Sequence, residues 1–298
     1  MTTESRPSTP AFALPIGLLL VAMVSVQIGA AAAKGLFPRV GAEGAAALRL
    51  MIFSPIMLAV WRPWRLKLSA RSLPALLGYG LSLGAMNLTF YMSLHTIPLG
   101  VAVALEFAGP LAVTVLHSRR WSDLLWVGLA VLGLALLLPL GRLSHPLDPL
   151  GMGLALIAGG FWGLYIVFGQ RAGAAHGGAA VAMGGLVAAL LVAPFGIAHA
   201  GRALLDPAIW PLALVVALMS SVIPYSCEIV GLTRLPTRVF GTLMSLEPAV
   251  AALSGLVFLH ERLSPLQILA ILAVIGASAG AVTTTPAEIR EPEPPPLI

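Results

Sequence analysis

Apolar residues run along this chain in long blocks separated by short breaks rich in Gly, Pro, Asp and Ser, such as Arg62-Pro63 and Asp206-Pro207. Ten blocks approach or reach the roughly 20 residues that a helix needs to cross a hydrocarbon core. They are 12–33, 44–61, 73–94, 98–117, 122–140, 149–170, 178–199, 209–231, 236–259 and 264–284. Alternation with a period of two is absent, so a membrane β-barrel is not expected. The pattern predicts an all-α membrane protein. Residues 1–11 form a polar amino-terminal segment. The block after it lacks a clean cleavage site and reads as a retained first helix, not a signal peptide. Residues 287–298, rich in Pro and Glu, read as a disordered tail.

The blocks also repeat. YMSLHTIPLGVAVALEFAGPLAV at 91–113 reads again as IVGLTRLPTRVFGTLMSLEPAVA at 229–251, with Pro98 on Pro236 and Pro110 on Pro248, each pair 138 residues apart. At an offset of 136, Gly17-Leu18 falls on Gly153-Leu154 and Lys34 on Gln170; at 142, Ser122 falls on Ser264. The drift marks short insertions. Each copy, 12–140 and 149–284, therefore holds five spans, and an odd number turns the second copy over in the membrane. The expectation is ten transmembrane helices as two inverted five-helix repeats about a pseudo-two-fold axis in the membrane plane, an architecture of secondary transporters. Orientation follows from the basic residues. Eleven fall on the amino-terminal side, most densely at 62–71, against Lys34, Arg39, Arg142, Arg202 and Arg262 on the other. Both termini are therefore expected in the cytoplasm.

Composition removes several alternatives. Hydrophobic residues make up 58% and charged residues 10%, against about 25% charged in soluble domains; this chain cannot cover a water-facing surface, and its partner is the lipid bilayer. The net charge of +5 is scattered singly through short loops, without the aromatic-interleaved patch that nucleic acid requires. Cys227 is the sole cysteine, which rules out an intrachain disulfide and reads as a packed thiol. There is no Walker loop, and Gly151-Met152-Gly153 is followed by Leu156 where a dinucleotide fingerprint needs Gly. The histidines lack metal-ligand spacing. Asp148, Asp206 and Glu261 are too scattered to be the carboxylate cluster of a membrane-embedded transferase. No cofactor, no metal and no enzymatic reaction are expected.

Ionisable residues inside spans cost upward of about 2.5 kcal/mol at a helix centre, so they face an interior or a water-filled cavity. Arg49, Glu106, Glu228 and Glu247 stand out. Glu106 lies roughly 12 Å beyond Pro98 and Glu247 roughly 16 Å beyond Pro236, measured from opposite faces at 1.5 Å per residue, which puts both near the midplane. The repeat places them one helical turn apart, so each copy supplies one carboxylate. The alternative is that each pairs with a neighbouring helix, Arg49 included. Glu228 lies one turn from Tyr225 beside Pro224, which loosens the local backbone, or it pairs at the interface with Arg234 or Arg238. Asn87, Tyr91 and His95 line one face of the third span, suited to a polar solute or to helix–helix bonding. Lys34, with Gln27 on the same face of the first span, ends that span where a long side chain reaches either the interface or a cavity. Trp162 and Tyr165 make a weaker face. Gly276 and Gly280 form a GxxxG step, suited to packing within the chain or to a homodimer seam.

Ala47-Leu48-Arg49-Leu50, the Pro98…Pro110 and Pro236…Glu247-Pro248 pattern, and Leu259-His260-Glu261 resemble the EamA branch of the drug/metabolite transporter superfamily. Within it, GQRAGAAHG at 169–177, VALEFAGPLAV at 103–113 and LTRLPTRVFGTLMSLEPA at 232–249 are similar to the exporters of threonine and homoserine. The resemblance covers residues 15–284. It implies a multi-pass transporter of the bacterial inner membrane that exports L-threonine and L-homoserine by proton antiport with alternating access. The chain departs from the pattern in carrying Gly109, not Glu, before Pro110, and in lacking a first-copy counterpart of Glu261. A zwitterionic substrate suits Arg49, with Lys34 second, at its carboxylate, and Glu106, with Glu247 second, at its ammonium. Asn87 or Tyr91 suits its hydroxyl, and Tyr225 offers an aromatic surface. Glu106, Glu247 and Glu228 are the candidates for carrying the proton. Another metabolite, such as a nucleoside, another amino acid or a drug-like cation, is the alternative cargo; Phe, Trp and Tyr total only 7%, few for walling a large planar solute.

Overall fold

In the computed structural model, residues 10–65, 72–116, 121–137, 147–234, 243–244 and 246–284 are described. The segment 1–9, the tail 287–298, Pro236, Arg238, Lys67, Arg71, Arg119, Arg120, Arg142 and Arg290 lie outside them. The described residues fold as helices: α1 Pro10–Lys34, α2 Phe37–Trp61, α3 Leu73–Leu94, α4 Leu99–Glu106, α5 Ala108–Leu116 and α6 Trp121–Leu137, then α7 Pro149–His176, α8 Gly178–Ala200, α9 Trp210–Ala217, α10 Ile223–Arg234, α11 Glu247–Phe258 and α12 Pro265–Thr284. Among the described residues, six helical stretches are long and apolar enough to cross a membrane: Ala13–Lys34, Phe37–Arg65, Leu73–Leu94, Pro149–His176, Gly178–Leu205 and Pro207–Glu228. Shorter apolar helices run at Leu99–Pro110, Glu247–Phe258 and Pro265–Ala277.

Proline explains where the helices depart from the apolar blocks. The block expected at 44–61 starts earlier, at Phe37, because Pro38 sits in the first turn, where its missing N–H is no loss. Gly41, at φ 70°, then offsets that turn from the rest of α2. The block at 98–117 breaks at Phe107, between Glu106 and Pro110, whose ring cannot donate to the carbonyl four residues back. The block at 209–231 passes through a π-helical turn at Leu218–Val222 just before Pro224.

The principal packing pairs are α2 with α8, α3 with α7 and with α8, α6 with α12, α4 with α11, and α1 with α9, the π-turn and α10. Each joins a helix before residue 140 to one after 148. Small residues permit these contacts, since between lipid-embedded helices close packing replaces the hydrophobic drive available in water. A Cβ on Gly84 of α3 would lie 3.1 Å from the Ala188 backbone of α8, and one on Gly100 of α4 would lie 2.7 Å from the Ala252 backbone of α11. Ala45, Ala46 and Ala47 of α2 are fully buried in the same core.

Candidate substrate and coupling site

Arg49 is held in the middle of the bundle by what the broken helix offers it. In an α-helix the N–H of residue 224 would bond the carbonyl of Ser220, but Pro224 has none. In the π-turn, Ile223 N–H bonds Leu218 O, so the carbonyls of Met219 and Ser220 are left for side chains. Ser25 Oγ of α1 donates to Met219 O at 2.6 Å. Arg49 Nη2 of α2 donates to Ser220 O at 2.5 Å, and its Nε donates to Ser221 Oγ at 2.7 Å. The third arm, Nη1, reaches Tyr91 Oη at 3.4 Å, with Cζ 5.4 Å from the centre of the tyrosine ring, a cation–π distance. The guanidinium is thus buried, 6% exposed, and among the described residues its partners are neutral and no carboxylate touches it.

The carboxylates lie within electrostatic reach. Glu106 interacts with both Glu247 and Arg49, Glu247 also with Glu228, and Tyr225 with Arg49, Glu106 and Glu228. Glu106 is buried at the last residue of α4, and its carbonyl, which Pro110 cannot serve, is covered by Gly159 of α7. A side chain at Gly159 or Gly109 would collide with the facing backbone. The carbonyl-rich end of a helix attracts cations, so the end of α4 suits a proton or an ammonium group. Glu247 is the first residue of α11, where helix N–H groups favour an anion. It is also buried, and among the described residues its Oε2 has no hydrogen-bond partner. The two acidic groups therefore meet opposite helix ends.

The remaining sequence candidates divide between this region and others. Tyr91 is fully buried against Arg49. Asn87, one turn earlier, is buried with Nδ2 bonded to Leu83 O of its own helix at 2.8 Å. His95 caps the end of α3 and its ring lies 6.1 Å from Phe37. Glu228 is half-buried in α10, and the Tyr225 ring lies 5.5 Å from Phe53. Lys34 is taken up elsewhere, in an ion pair with Glu261 at 2.6 Å. Gln27 is buried, and among the described residues its Oε1 has no hydrogen-bond partner. It shares a face of α1 with Met23, which packs beside Leu243, Met244 and Val250.

Three features escaped the sequence reading. Ser220 and Ser221 looked like ordinary span residues, and only Pro224 four positions on marks the Ser220 carbonyl as open. Tyr79 and Tyr165 stack with ring centres 4.8 Å apart and hydroxyls 3.3 Å apart, and both lie within reach of Glu228. Nothing in their 86-residue separation signals this. Trp162, on the same face of α7 as Tyr165, meets Phe107 edge-on at 5.4 Å.

Residues 149–283 match the sequence profile of the EamA-like transporter family. The threonine/homoserine exporter RhtA of Escherichia coli (strain K12) is 55% identical over 277 residues, covering 93% of this chain and 94% of the exporter. RhtA of Salmonella typhimurium (strain LT2) is 55% identical over 280 residues, covering 94% of each. A crystal structure of a protein 18% identical superimposes with a TM-score of 0.60 over 90% of this chain and 96% of its own, a likeness of fold. On this profile match and on identity of this extent, the chain belongs to the EamA-like transporter family.

Proposed function

We propose that this protein exports L-threonine and L-homoserine across the bacterial inner membrane, exchanging them for protons by alternating access. The observation that carries this reading is 55% identity over 93% of the chain to exporters of those two amino acids. The site supplies the matching chemistry. Arg49, whose charge is buried without a touching carboxylate among the described residues, receives the substrate carboxylate. Glu106, with Glu247 beside it, receives the ammonium, and Tyr91 or Asn87 the hydroxyl. Tyr225 lines the approach between Glu228 and Arg49. A proton and the substrate ammonium compete for Glu106, so loading one releases the other; Glu247 and Glu228 pass the proton along.

Alternating access is read from ten spans in two inverted copies, 12–140 and 149–284, with both termini in the cytoplasm. The packing supports that reading, because its pairs exchange under the repeat. α3 lies on α7 as α1 lies on α9 and α10, while α2–α8, α4–α11 and α6–α12 each join equivalent positions. Rocking of one copy against the other then opens the central charges to either side.

Uptake of labelled threonine and homoserine into inside-out vesicles tests the proposal. Saturable uptake, stimulated when the vesicle interior is made acidic, is the expected result. Absence of uptake for both amino acids overturns the substrate assignment, and uptake indifferent to the gradient overturns proton exchange.

A further inference from the structure

Away from Arg49, at the Lys34 end of the bundle, one carboxylate ties three helices. Lys34 is the last residue of α1, and its Nζ meets Glu261 Oε1 at 2.6 Å. Glu261 Oε2 accepts the N–H of Leu99, the first residue of α4, at 2.8 Å. That N–H belongs to the first turn, where helix donors lack internal partners and the helix end favours an anion. Glu261 itself is fixed to α11. Its N–H donates to Gly255 O at 3.0 Å across a turn in which His260 adopts φ 53°, the left-handed region unusual for a residue with a side chain. A Cβ on Gly255 would lie 2.5 Å from Glu261 Oε2. The side chains of Lys34 and Glu261 keep 22% and 14% of their exposure, so the pair sits at a rim that water reaches without fully screening it.

Two of the tied helices belong to the first copy and one to the second. An inverted repeat should reproduce the device at the opposite end, and the sequence denies it. The offset of 136 puts Gln170 at the position of Lys34, and the offset of 142 puts Arg119 at that of Glu261. Neither ion-pair partner is kept, and Gln170 is exposed on α7.

We propose that Lys34 and Glu261 are a one-sided latch that closes the bundle at its outer face, so that the transporter rests open to the cytoplasm and loads there. For the outer face to open, Glu261 must leave both Lys34 and the start of α4, while the positions equivalent under the repeat, Gln170 and Arg119, carry no pair of opposite charge to break. The difference sets the resting population of the two states. Glu261 and Lys34 thus act in the cycle without touching the substrate.

The test reads accessibility from each side, without substrate, in a Cys227→Ser background. Ser254 is buried on the face of α11 that carries Glu247, so Ser254→Cys reports on the space behind the latch. Tyr165→Cys reports on the other half. A membrane-impermeant maleimide is applied to intact cells for the first and to inside-out vesicles for the second. Glu261→Gln is expected to speed labelling of Ser254→Cys about tenfold, the scale of losing a charge-assisted bond, and to slow that of Tyr165→Cys. Lys34→Gln, which leaves Glu261 on Leu99, is expected to act in the same direction and keeps the test available if Glu261→Gln fails to insert. Unchanged labelling at Ser254→Cys overturns the proposal. So does faster labelling at both positions, which would mark the pair as a brace whose loss loosens the whole bundle. The latch rests on the alternating-access reading above; because no substrate enters the assay, failure of the export experiment and failure of this one are distinguishable.

Discussion

Arg49 presents three guanidinium nitrogens to three different partners, Ser220 O, Ser221 Oγ and Tyr91 Oη, and a lysine cannot reproduce that fork from one point charge. Arg49→Lys should keep the protein in the membrane and reduce threonine export to about a tenth or less; one buried carbonyl left without a donor costs about 1–3 kcal/mol. Export from intact cells, with membrane abundance of the variant measured alongside, checks this, and a variant missing from the membrane would make Arg49 a folding residue. Glu106→Gln preserves shape and removes the exchangeable charge, so proton-stimulated export should vanish. Wild-type transport with unchanged dependence on the pH gradient in that variant would sink the coupling role. Arg49, Glu106 and Glu247 were legible in the sequence because a charge inside some twenty apolar residues is an anomaly with a free-energy cost. The partner of Lys34 was not, since 227 residues separate it from Glu261 and neither residue is unusual at a loop. Asn87 was legible as buried and polar, but a residue pattern cannot tell a side chain waiting for solute from one bonded to its own helix.

At the level of the helix, Pro224 is the feature that positions Arg49. Proline in a helix interior costs about 3 kcal/mol, and here the carbonyl it exposes becomes the anchor of the guanidinium. Pro224→Ala gives residue 224 an N–H that closes on Ser220 O, straightening the break and displacing Arg49. Export should fall about tenfold while thermal stability in detergent stays level or rises; undiminished export would show that the break does not matter. The start of α7 carries a different test. Asp148 accepts from Leu150 N at 3.2 Å and Gly151 N at 3.1 Å. The Thr96 hydroxyl first, and these N–H groups after it, hold its carboxyl below the ordinary aspartate range. A depressed folded value means the stabilisation is present above about pH 4 and is lost as pH falls through that lower value. Asp148→Ala should therefore melt at a lower temperature than wild type near neutrality, and the gap should close on acidification below about pH 4. Helix existence was legible throughout the described residues because block length alone sets it. The breaks at Phe107 and Leu218–Val222 were marked by Pro110 and Pro224, but the form of each break was not, because it depends on which neighbouring side chain arrives to satisfy the freed carbonyls.

For the molecule as a whole, the main interfaces all run between the halves: α2 on α8, α3 on α7 and α8, α6 on α12, α4 on α11 and α1 on α9 and α10. The repeat in the sequence raises the expectation of two copies, but an offset between prolines says nothing about whether such copies stand side by side or interleave; that is decided by which small residues face each other, as Gly84 faces Ala188 and Gly100 faces Ala252. Interleaving has a mechanical consequence. A half expressed by itself would expose to lipid the faces that bury Arg49 and Glu106, and an unpaired charge facing the bilayer core is costly. Each half has few contacts of its own to oppose that cost. If the chain is divided between Leu137 and Leu147, neither half alone should accumulate, whereas the two produced together should assemble within the bilayer and restore export to within a few fold of the intact protein. Cutting a connection removes the entropy advantage of keeping the halves on one chain, and confinement to one membrane already supplies much of that. Accumulation of either half alone at the level of the intact chain, protected from protease, would show that the core is not shared as these contacts require.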